Sequence, residues 1–296
     1  MLSLLAVAVA ACSTVGPGGD STGSAAAPGA IAVVATTTVL ADIVRNVAGD
    51  RAIVSSIVPS GAGPEDYEPK PQDARHLADA RLIVSNGAGL DDFVEKLIAA
   101  AGGKDSQRLI LADTIQPIAV AGQPNPHFWL DPSIVADHYI PDIVAALAKV
   151  DPAGSSTYAA NGHAYAASVR AMDDANKARI ATIPAANRKL VTFHDAFPYF
   201  AAHYGFELIG VILANVGQEP NPSDLAALVT TVKAAGVRAV FAEGQFNPEL
   251  ALTLATEAGI DKVVSTLYTD SVGPASNDTY LSMMRWNVDR VVEALS

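Results

Sequence analysis

The chain has 296 residues, of which 50% are hydrophobic, and a formal net charge of −12. This length and composition allow two ordinary domains with a sizeable buried core. Nucleic acid is excluded as a partner, because binding to phosphates needs clustered Lys and Arg and the sequence contains no basic run.

The N-terminal segment predicts export and attachment to a lipid. Residues 2–11 form an apolar run that ends in small residues directly before Cys12, the only cysteine of the chain. The run is too short to span a bilayer, and small residues followed by Cys resemble the bacterial lipobox, in which that Cys is lipidated. No Lys or Arg precedes the run, a departure that a truncated or misassigned start would explain. We predict a signal peptide with lipobox over 1–12; the alternative is a buried Cys in a first helix.

The segment after Cys12 predicts a tether. Residues 13–28 are mostly Ser, Thr, Gly, Pro and Ala, which cannot bury a core, and we expect a flexible tether over 13–30. No later segment of the sequence is long and apolar enough to cross a membrane. We therefore expect a globular body held by lipid on the outer face of the cytoplasmic membrane, either extracellular or periplasmic.

From residue 31 onward, short β-branched runs alternate with helical patterns, which predicts parallel strands joined by crossover helices. In the first half, the predicted strands are 32–38, 52–58, 82–85 and 108–111, and the predicted helices are 40–47, 71–80, 91–101 and, from 132 or 133, to 149. In the second half, the predicted strands are 189–193, 207–212, 239–242 and 263–267, and the predicted helices are 196–204, 223–235, 247–258 and 280–295. Ser223 is the expected N-cap and Gly236 the expected end of the helix between them.

One long helix is predicted between the two halves. Residues 156–183 are rich in Ala and contain no Pro or Gly after Gly162. The predicted fold class is therefore α/β with two lobes, 31–153 and 185–296, and a linking helix within 154–184. In open α/β sheets, ligands bind outside the carboxyl ends of the strands.

Two histidines lie at loop positions where they could bind a metal. His127 stands among prolines that hold the backbone extended, and His194 follows a predicted strand and opens a predicted helix. A helix N-terminus disfavours the charged imidazolium, so we expect His194 to be neutral and able to coordinate a cation. The alternatives are a turn histidine packed on Trp129 and a capping or core histidine. His203, late in the same helix, is expected to interact with the dipole of its C-terminus.

Carboxylates follow other predicted strands. Asp270 comes after the strand at 263–267, where an Asx turn is the alternative to a cation site, and Glu65 and Asp66 lie in a Gly/Pro-rich loop after the second strand. Each of these signals is weak alone. Two imidazoles and carboxylates from separate loops can nevertheless close around one divalent transition metal.

Taken together, several segments resemble the zinc/manganese solute-binding proteins of bacterial ABC importers, over about residues 31–296. The segments are Tyr-Glu-Pro-Lys-Pro-Gln-Asp at 67–73, Ala-Asp-Ala-Arg-Leu-Ile-Val-Ser-Asn-Gly-Ala-Gly-Leu at 78–90, Pro-His-Phe-Trp-Leu-Asp-Pro at 126–132, Phe-His-Asp-Ala-Phe at 193–197, Ala-Glu-Gly-Gln-Phe-Asn-Pro at 242–248 and Thr-Asp-Ser-Val-Gly at 269–273. The resemblance implies two Rossmann-like lobes joined by one long rigid helix, with the metal in the cleft between the lobes.

The resemblance also implies a ligand set. The second, third and fourth ligand positions of the family fall on His127, His194 and Asp270, and the first, normally a His, falls on Glu65. Asp66 is the alternative first ligand. Glu243, at a strand end, is expected to orient a ligating His, since imidazole ligands usually donate their other N–H to an oxygen.

The expected function is extracytoplasmic capture of a divalent metal and its delivery to an ABC permease by a monomer that is not an enzyme. Zinc is the favoured metal, because zinc lies higher in the affinity series; manganese is second, because Glu65 makes the donor set harder than three imidazoles would. The alternatives are a zinc metallohydrolase and a metal-binding adhesin or metallochaperone. The stretch 114–125 contains no His, so the His-rich insertion that zinc-uptake members often carry is not expected.

Overall fold

The structure, a computed structural model, describes residues 29–100, 107–214, 216 and 221–296. Cys12, the predicted signal peptide and most of the predicted tether lie outside the described residues. Within the part that is described, no helix combines the length and the apolar character needed to traverse a bilayer.

The first half of the chain forms a parallel sheet with the strand order β2-β1-β3-β4. Its strands are β1 (Ile31–Ala35), β2 (Ala52–Ser56), β3 (Leu82–Ser85) and β4 (Gln107–Ile110). The helices are α1 (Thr38–Ala48), α2 (Pro71–Asp79), α3 (Phe93–Ala100), α4 (Pro132–Ile134) and α5 (Ile140–Val150). Because β1 and β3 lie in the middle of the sheet, their side chains are largely buried, among them Val33, Val34, Leu82, Ile83 and Val84.

A second parallel sheet follows, with the strand order β10-β9-β7-β8. Its strands are β7 (Lys189–His194), β8 (Glu207–Leu213), β9 (Ala239–Glu243) and β10 (Lys262–Leu267), and its helices are α7 (Pro198–Tyr204), α8 (Pro222–Ala235), α9 (Glu249–Ala258) and α10 (Tyr280–Leu295). The predicted α/β class with two parallel sheets is confirmed. Gly236 ends α8 in the left-handed conformation as predicted, but the N-cap is Asn221, whose side chain accepts from the Ser223 N–H; the prediction of Ser223 was wrong.

Helix α6 (Ser155–Ile180) has 26 residues and connects the two sheets along the chain, as predicted. It packs against α1 and α5 of the first half and against α10 of the second. Val169 of α6 belongs to one continuous apolar core that includes Val33 of β1 and Val288 of α10. The two halves therefore share buried surface, which opposes independent movement of the lobes.

A short hairpin and a π-helical turn are among the elements that the sequence did not predict. Strands β5 (Ala119–Val120) and β6 (Gln123–Pro124) form a hairpin through Ala121 and Gly122, which both have positive φ, as a two-residue type I′ turn requires. A π-helical turn, Val135–Tyr139, separates α4 from α5 and precedes Pro141, which has no N–H to continue a regular α-helix.

His203 of α7 lies between two carboxylates, one in the first half of the chain and one on the long helix α6. Its Nδ1 lies 2.9 Å from Asp131 Oδ1, and its Nε2 lies 2.8 Å from Asp173 Oδ1 on α6. Burial opposes the imidazolium, but the two carboxylates outweigh it and raise the pKa of His203 to about 9. The ion pairs, rather than the helix dipole, therefore determine the charge of His203.

We expect His203→Gln to lower the free energy of unfolding by about 3 kcal/mol at pH 6, because it leaves the mostly buried Asp131 without its cation and Asp173 with Lys177 alone. The folded-state pKa of about 9 exceeds the ordinary 6.5, so this contribution is complete below pH 6.5 and is lost as the pH rises through about 9. Urea denaturation of both proteins at pH 6 and pH 9.5 measures the difference. The exposed His163 on α6 offers the control His163→Gln, and a difference that does not shrink with pH contradicts the assignment.

Candidate metal centre

His127 is held by the side chain of Asn125. The Asn125 Oδ1 lies 3.1 Å from the His127 Nδ1 and also accepts from the His127 backbone N–H at 3.1 Å. The Asn125 Nδ2 donates to the Asp195 carbonyl, which fixes the amide with its oxygen toward the imidazole. The Nδ1 of His127 therefore carries the proton, and the buried Nε2 is free to bind a cation. The His127 ring also packs on Trp129, with ring centroids 5.3 Å apart. Packing on Trp129, which was considered as an alternative to metal binding, therefore occurs together with an Nε2 that faces the cluster.

His194 is the last residue of β7, and Glu243 is the last residue of the neighbouring strand β9. The His194 Nδ1 lies 3.1 Å from the Glu243 Oε1, and both side chains are buried. Burial opposes the imidazolium, but the carboxylates of Glu243 and Asp270 raise the pKa of His194 to about 10. The helix-dipole expectation was wrong, since α7 begins only at Pro198 and the neighbouring carboxylates dominate. A cation at this site therefore competes with a proton on His194.

Asp270 follows β10 and is almost completely buried. The Trp129 Nε1 donates to the Thr269 carbonyl at 2.8 Å and so joins the loop of His127 to the loop of Asp270. Burial alone would raise the pKa of Asp270, but the positive charge of the nearby His194 and the closeness of the His127 ring lower it. The carboxylate is thus ionised and faces both imidazoles.

The three side chains have the spacing of ligands around one ion. The two Nε2 atoms of His127 and His194 are 3.4 Å apart, and the Asp270 oxygens lie 3.4 Å from the first and 3.5 Å from the second. A tetrahedral site with bonds of about 2.1 Å has edges of about 3.4 Å. The two Asp270 distances involve different oxygens, but both are close to this edge length, so the donors surround a space of the size of one small divalent cation.

Glu65 lies at the open side of this cluster. Its Oε1 is 3.8 Å from the His127 Nε2, and its side chain is 26% exposed. Burial raises the pKa of Glu65, partly offset by the charges of His127 and His194. The neighbouring Asp66 is exposed, and its carboxylate lies beside Gly63. Of the two acids considered for the first ligand position, Glu65 is the one that faces the imidazoles.

The loop that carries Glu65 is bound to the loop that carries Asp270. The Ser60 Oγ donates to the Val272 carbonyl at 3.0 Å, and the Ser271 Oγ accepts from the Gly61 N–H at 3.1 Å. These bonds connect the first half of the chain to the second beside the cluster, so the two loops move as one unit.

A cavity of about 330 Å³ leads to the cluster from the side of the β5–β6 hairpin. Its lining includes Glu65, His127 and His194 at the inner end, and Ala121, Gln123 and Val216 elsewhere along the wall. A hydrated cation can reach the imidazoles by this route.

The structure brings together His127, His194 and Asp270, places Glu65 at their edge and puts Glu243 behind His194. Sequence reasoning missed Asn125 and Gln245, whose amide donates to the Asp270 Oδ2 at 2.6 Å. Asn125 stands two residues before a candidate ligand, which was an available signal. Gln245 stands 25 residues before Asp270 and has no comparable local signal.

Comparison with known proteins shows which family this chain resembles in sequence and in fold. The model of the family described as zinc-uptake complex component A, periplasmic, matches residues 33–294. The manganese-binding lipoprotein MntA of Halalkalibacterium halodurans is 31% identical over 98% of this chain and 97% of that protein. The iron-binding protein YfeA of Yersinia pestis is 34% identical over 88% of this chain and 85% of that protein. Among solved structures, the periplasmic zinc-binding protein TroA of Treponema pallidum has a TM-score of 0.83 and 25% identity, over 90% of this chain and all of that one.

We expect Glu243→Gln to weaken the binding of zinc about tenfold, since loss of an outer carboxylate partner typically costs 10- to 100-fold in metal affinity. The neutral amide no longer strengthens His194 as a donor through its Nδ1–H. Isothermal titration with a competing chelator measures the change. Glu257→Gln, on the exposed face of α9, is the matched control, and equal affinity of the two variants contradicts the role of Glu243.

Proposed function

This chain belongs to the zinc-uptake complex component A family, and we propose that it captures a divalent transition metal outside the cytoplasmic membrane and delivers it to the permease of an ABC importer. The observation that carries the proposal is the convergence of His127, His194 and Asp270 from both halves of the chain, with donor atoms within 4.8 Å of one another. All three side chains are buried, which is where a charged cluster needs a cation.

We propose four ligands: Glu65, His127, His194 and Asp270. Three of them are already at coordination spacing, and Glu65 needs to move only slightly, from a loop that is attached to the Asp270 loop. Four protein ligands close the sphere of the ion, as in zinc sites that are not catalytic. Glu243 holds His194, and Asn125 holds His127.

We propose that zinc is bound more tightly than manganese. Two imidazoles and the tetrahedral spacing suit zinc, which also exceeds manganese and ferrous iron in the affinity series. Manganese is the second candidate cargo, because Glu65 and Asp270 supply two hard carboxylates. MntA, YfeA and TroA are named for manganese, iron and zinc respectively, so the family itself does not decide between the metals.

We propose that lipid on Cys12 and the tether over 13–30 hold the protein at the outer face of the membrane. MntA is named a lipoprotein and matches 98% of this chain. We further propose that the protein is a monomer and that an adhesin or metallochaperone role is at most secondary, since neither accounts for a buried single-ion site.

A zinc metallohydrolase remains the alternative from a different class. It requires a coordination position open to water and a general base beside it. Glu243 is committed to His194 on the inner side of the ring, away from the cavity, and so does not serve as that base. Binding and transfer therefore explain the geometry better than hydrolysis does.

Under this proposal, purified protein exposed to equimolar zinc and manganese retains zinc, and Glu65→Ala lowers zinc affinity by at least about tenfold, since a ligand contributes more than an outer partner. Elemental analysis and competitive titration measure both effects. Glu68→Ala, an exposed acid of the same loop, is the control.

Unchanged affinity and stoichiometry of Glu65→Ala removes Glu65 from the ligand set. If the wild-type protein binds neither zinc nor manganese, the proposed function is wrong. Turnover of ester or peptide substrates by the zinc-loaded protein favours the hydrolase instead.

We also expect small-angle X-ray scattering profiles of the metal-free and zinc-loaded protein to superimpose. Helix α6 and the shared core link both halves, so release of the metal proceeds by loop movement rather than by wide opening. A large change in the radius of gyration on metal removal contradicts this expectation.

A further inference from the structure

The two oxygens of Asp270 have different surroundings. Oδ2 accepts a hydrogen bond from the Gln245 Nε2 at 2.6 Å. Oδ1 is buried and has no hydrogen-bond partner within the described part of the chain. Both oxygens face the imidazoles, Oδ1 at 3.4 Å from the His127 Nε2 and Oδ2 at 3.5 Å from the His194 Nε2, but only Oδ2 shares its lone pairs with a donor of the protein.

We propose that Gln245 is a positioning residue that keeps Asp270 a one-oxygen ligand and thereby favours zinc over manganese. The inference rests on the proposed function, because it concerns how the same site discriminates between two cargo ions. Gln245 itself does not touch the ion; it acts through the carboxylate.

The loop that carries Gln245 is well placed to hold this position. The Gly244 N–H donates to the Leu267 carbonyl, and the Phe246 N–H donates to the Glu243 carbonyl, so both neighbours of Gln245 are fixed to strand ends. Phe246 also packs edge-on against the His194 ring, with centroids 5.3 Å apart. The amide therefore approaches Asp270 from a rigid support.

The orientation of the Gln245 amide follows from charge. Its Nε2 faces an ionised carboxylate, because the opposite orientation would set two acceptor oxygens 2.6 Å apart. A hydrogen bond to an ionised acceptor is among the stronger ones. This hydrogen bond occupies a lone pair of Oδ2 and draws on its negative charge, so Oδ2 is the weaker of the two Asp270 oxygens as a donor to the ion.

Coordination number separates the two metals. Zinc in protein sites is satisfied by four ligands, whereas manganese favours octahedral oxygen-rich sites. A chelating Asp270 would add a fifth donor atom to Glu65, His127, His194 and Oδ1, and would benefit manganese more than zinc. A hydrogen bond that weakens Oδ2 as a donor to the ion therefore disfavours manganese relative to zinc.

The test uses Gln245→Met, which keeps the length of the side chain and removes the donor. We expect the ratio of zinc affinity to manganese affinity to fall about tenfold, as is typical when an outer partner of a metal ligand is lost. X-ray absorption on the zinc-loaded variant should show a fifth oxygen donor, and the visible spectrum of the cobalt-loaded variant should lose tetrahedral intensity. Gln72→Met, on the exposed face of α2, is the matched control and should keep the wild-type ratio and spectra.

Gln245→Leu provides the same readouts if the Met variant does not fold; the partial exposure of Gln245 favours tolerance of either change. An unchanged metal ratio with an unchanged coordination number overturns the inference while leaving the proposed function intact. Equal weakening of both metals without a spectral change shows a merely structural role and also overturns it. Failure of the wild-type protein to bind either metal defeats the proposed function and the inference with it.

Discussion

The fold buries several ionisable side chains at one point, where opposite charges lie close enough to offset one another. Parallel pairing produces this convergence: β7 ends at His194, β9 ends at Glu243, and Leu267 at the end of β10 pairs with Glu243 just before the Asp270 loop. Because neighbouring parallel strands end at the same edge of the sheet, residues distant in sequence meet there. His127 comes from the other half of the chain and completes the cluster.

Neighbouring side chains determine what each donor can do. Asn125 fixes the proton of His127 on Nδ1, Glu243 stabilises the charged form of His194, and Gln245 engages one oxygen of Asp270. Burial by itself disfavours every charge in the cluster, yet the pKa of His194 is raised and that of Asp270 is lowered because the opposite charges lie so close. Without a metal, the proton on His194 balances the charge of the neighbouring carboxylates. An incoming ion would take over this role by displacing that proton.

Local sequence patterns were sufficient for the architecture, since β-branched runs and Ala-rich stretches predicted the parallel strands and the long helix. The signals at His127, His194 and Asp270 were weak individually, and the resemblance of several segments to a known family singled these residues out. Features that depend on tertiary distance were missed: the ion pairs of His203 and the hydrogen bond from Gln245 to Asp270. Short elements were also missed, because a two-residue strand such as β5 leaves no periodic signal. The N-cap of α8 was misplaced because Asn221 and Ser223, two residues apart, are equally good caps by residue type.

The hydrogen bonds from Ser60 and Gly61 to the loop beyond Asp270 close the cluster on one flank, whereas the cavity beneath the β5–β6 hairpin leaves the other flank accessible. The open flank of the cluster and its closed flank are thus formed by different residues. An ion that enters or leaves through the cavity passes the hairpin wall, which contains none of the proposed ligands. A change in the hairpin that leaves those ligands in place would therefore alter the entry and exit rates by the same factor, and the equilibrium preference of the site would stay the same.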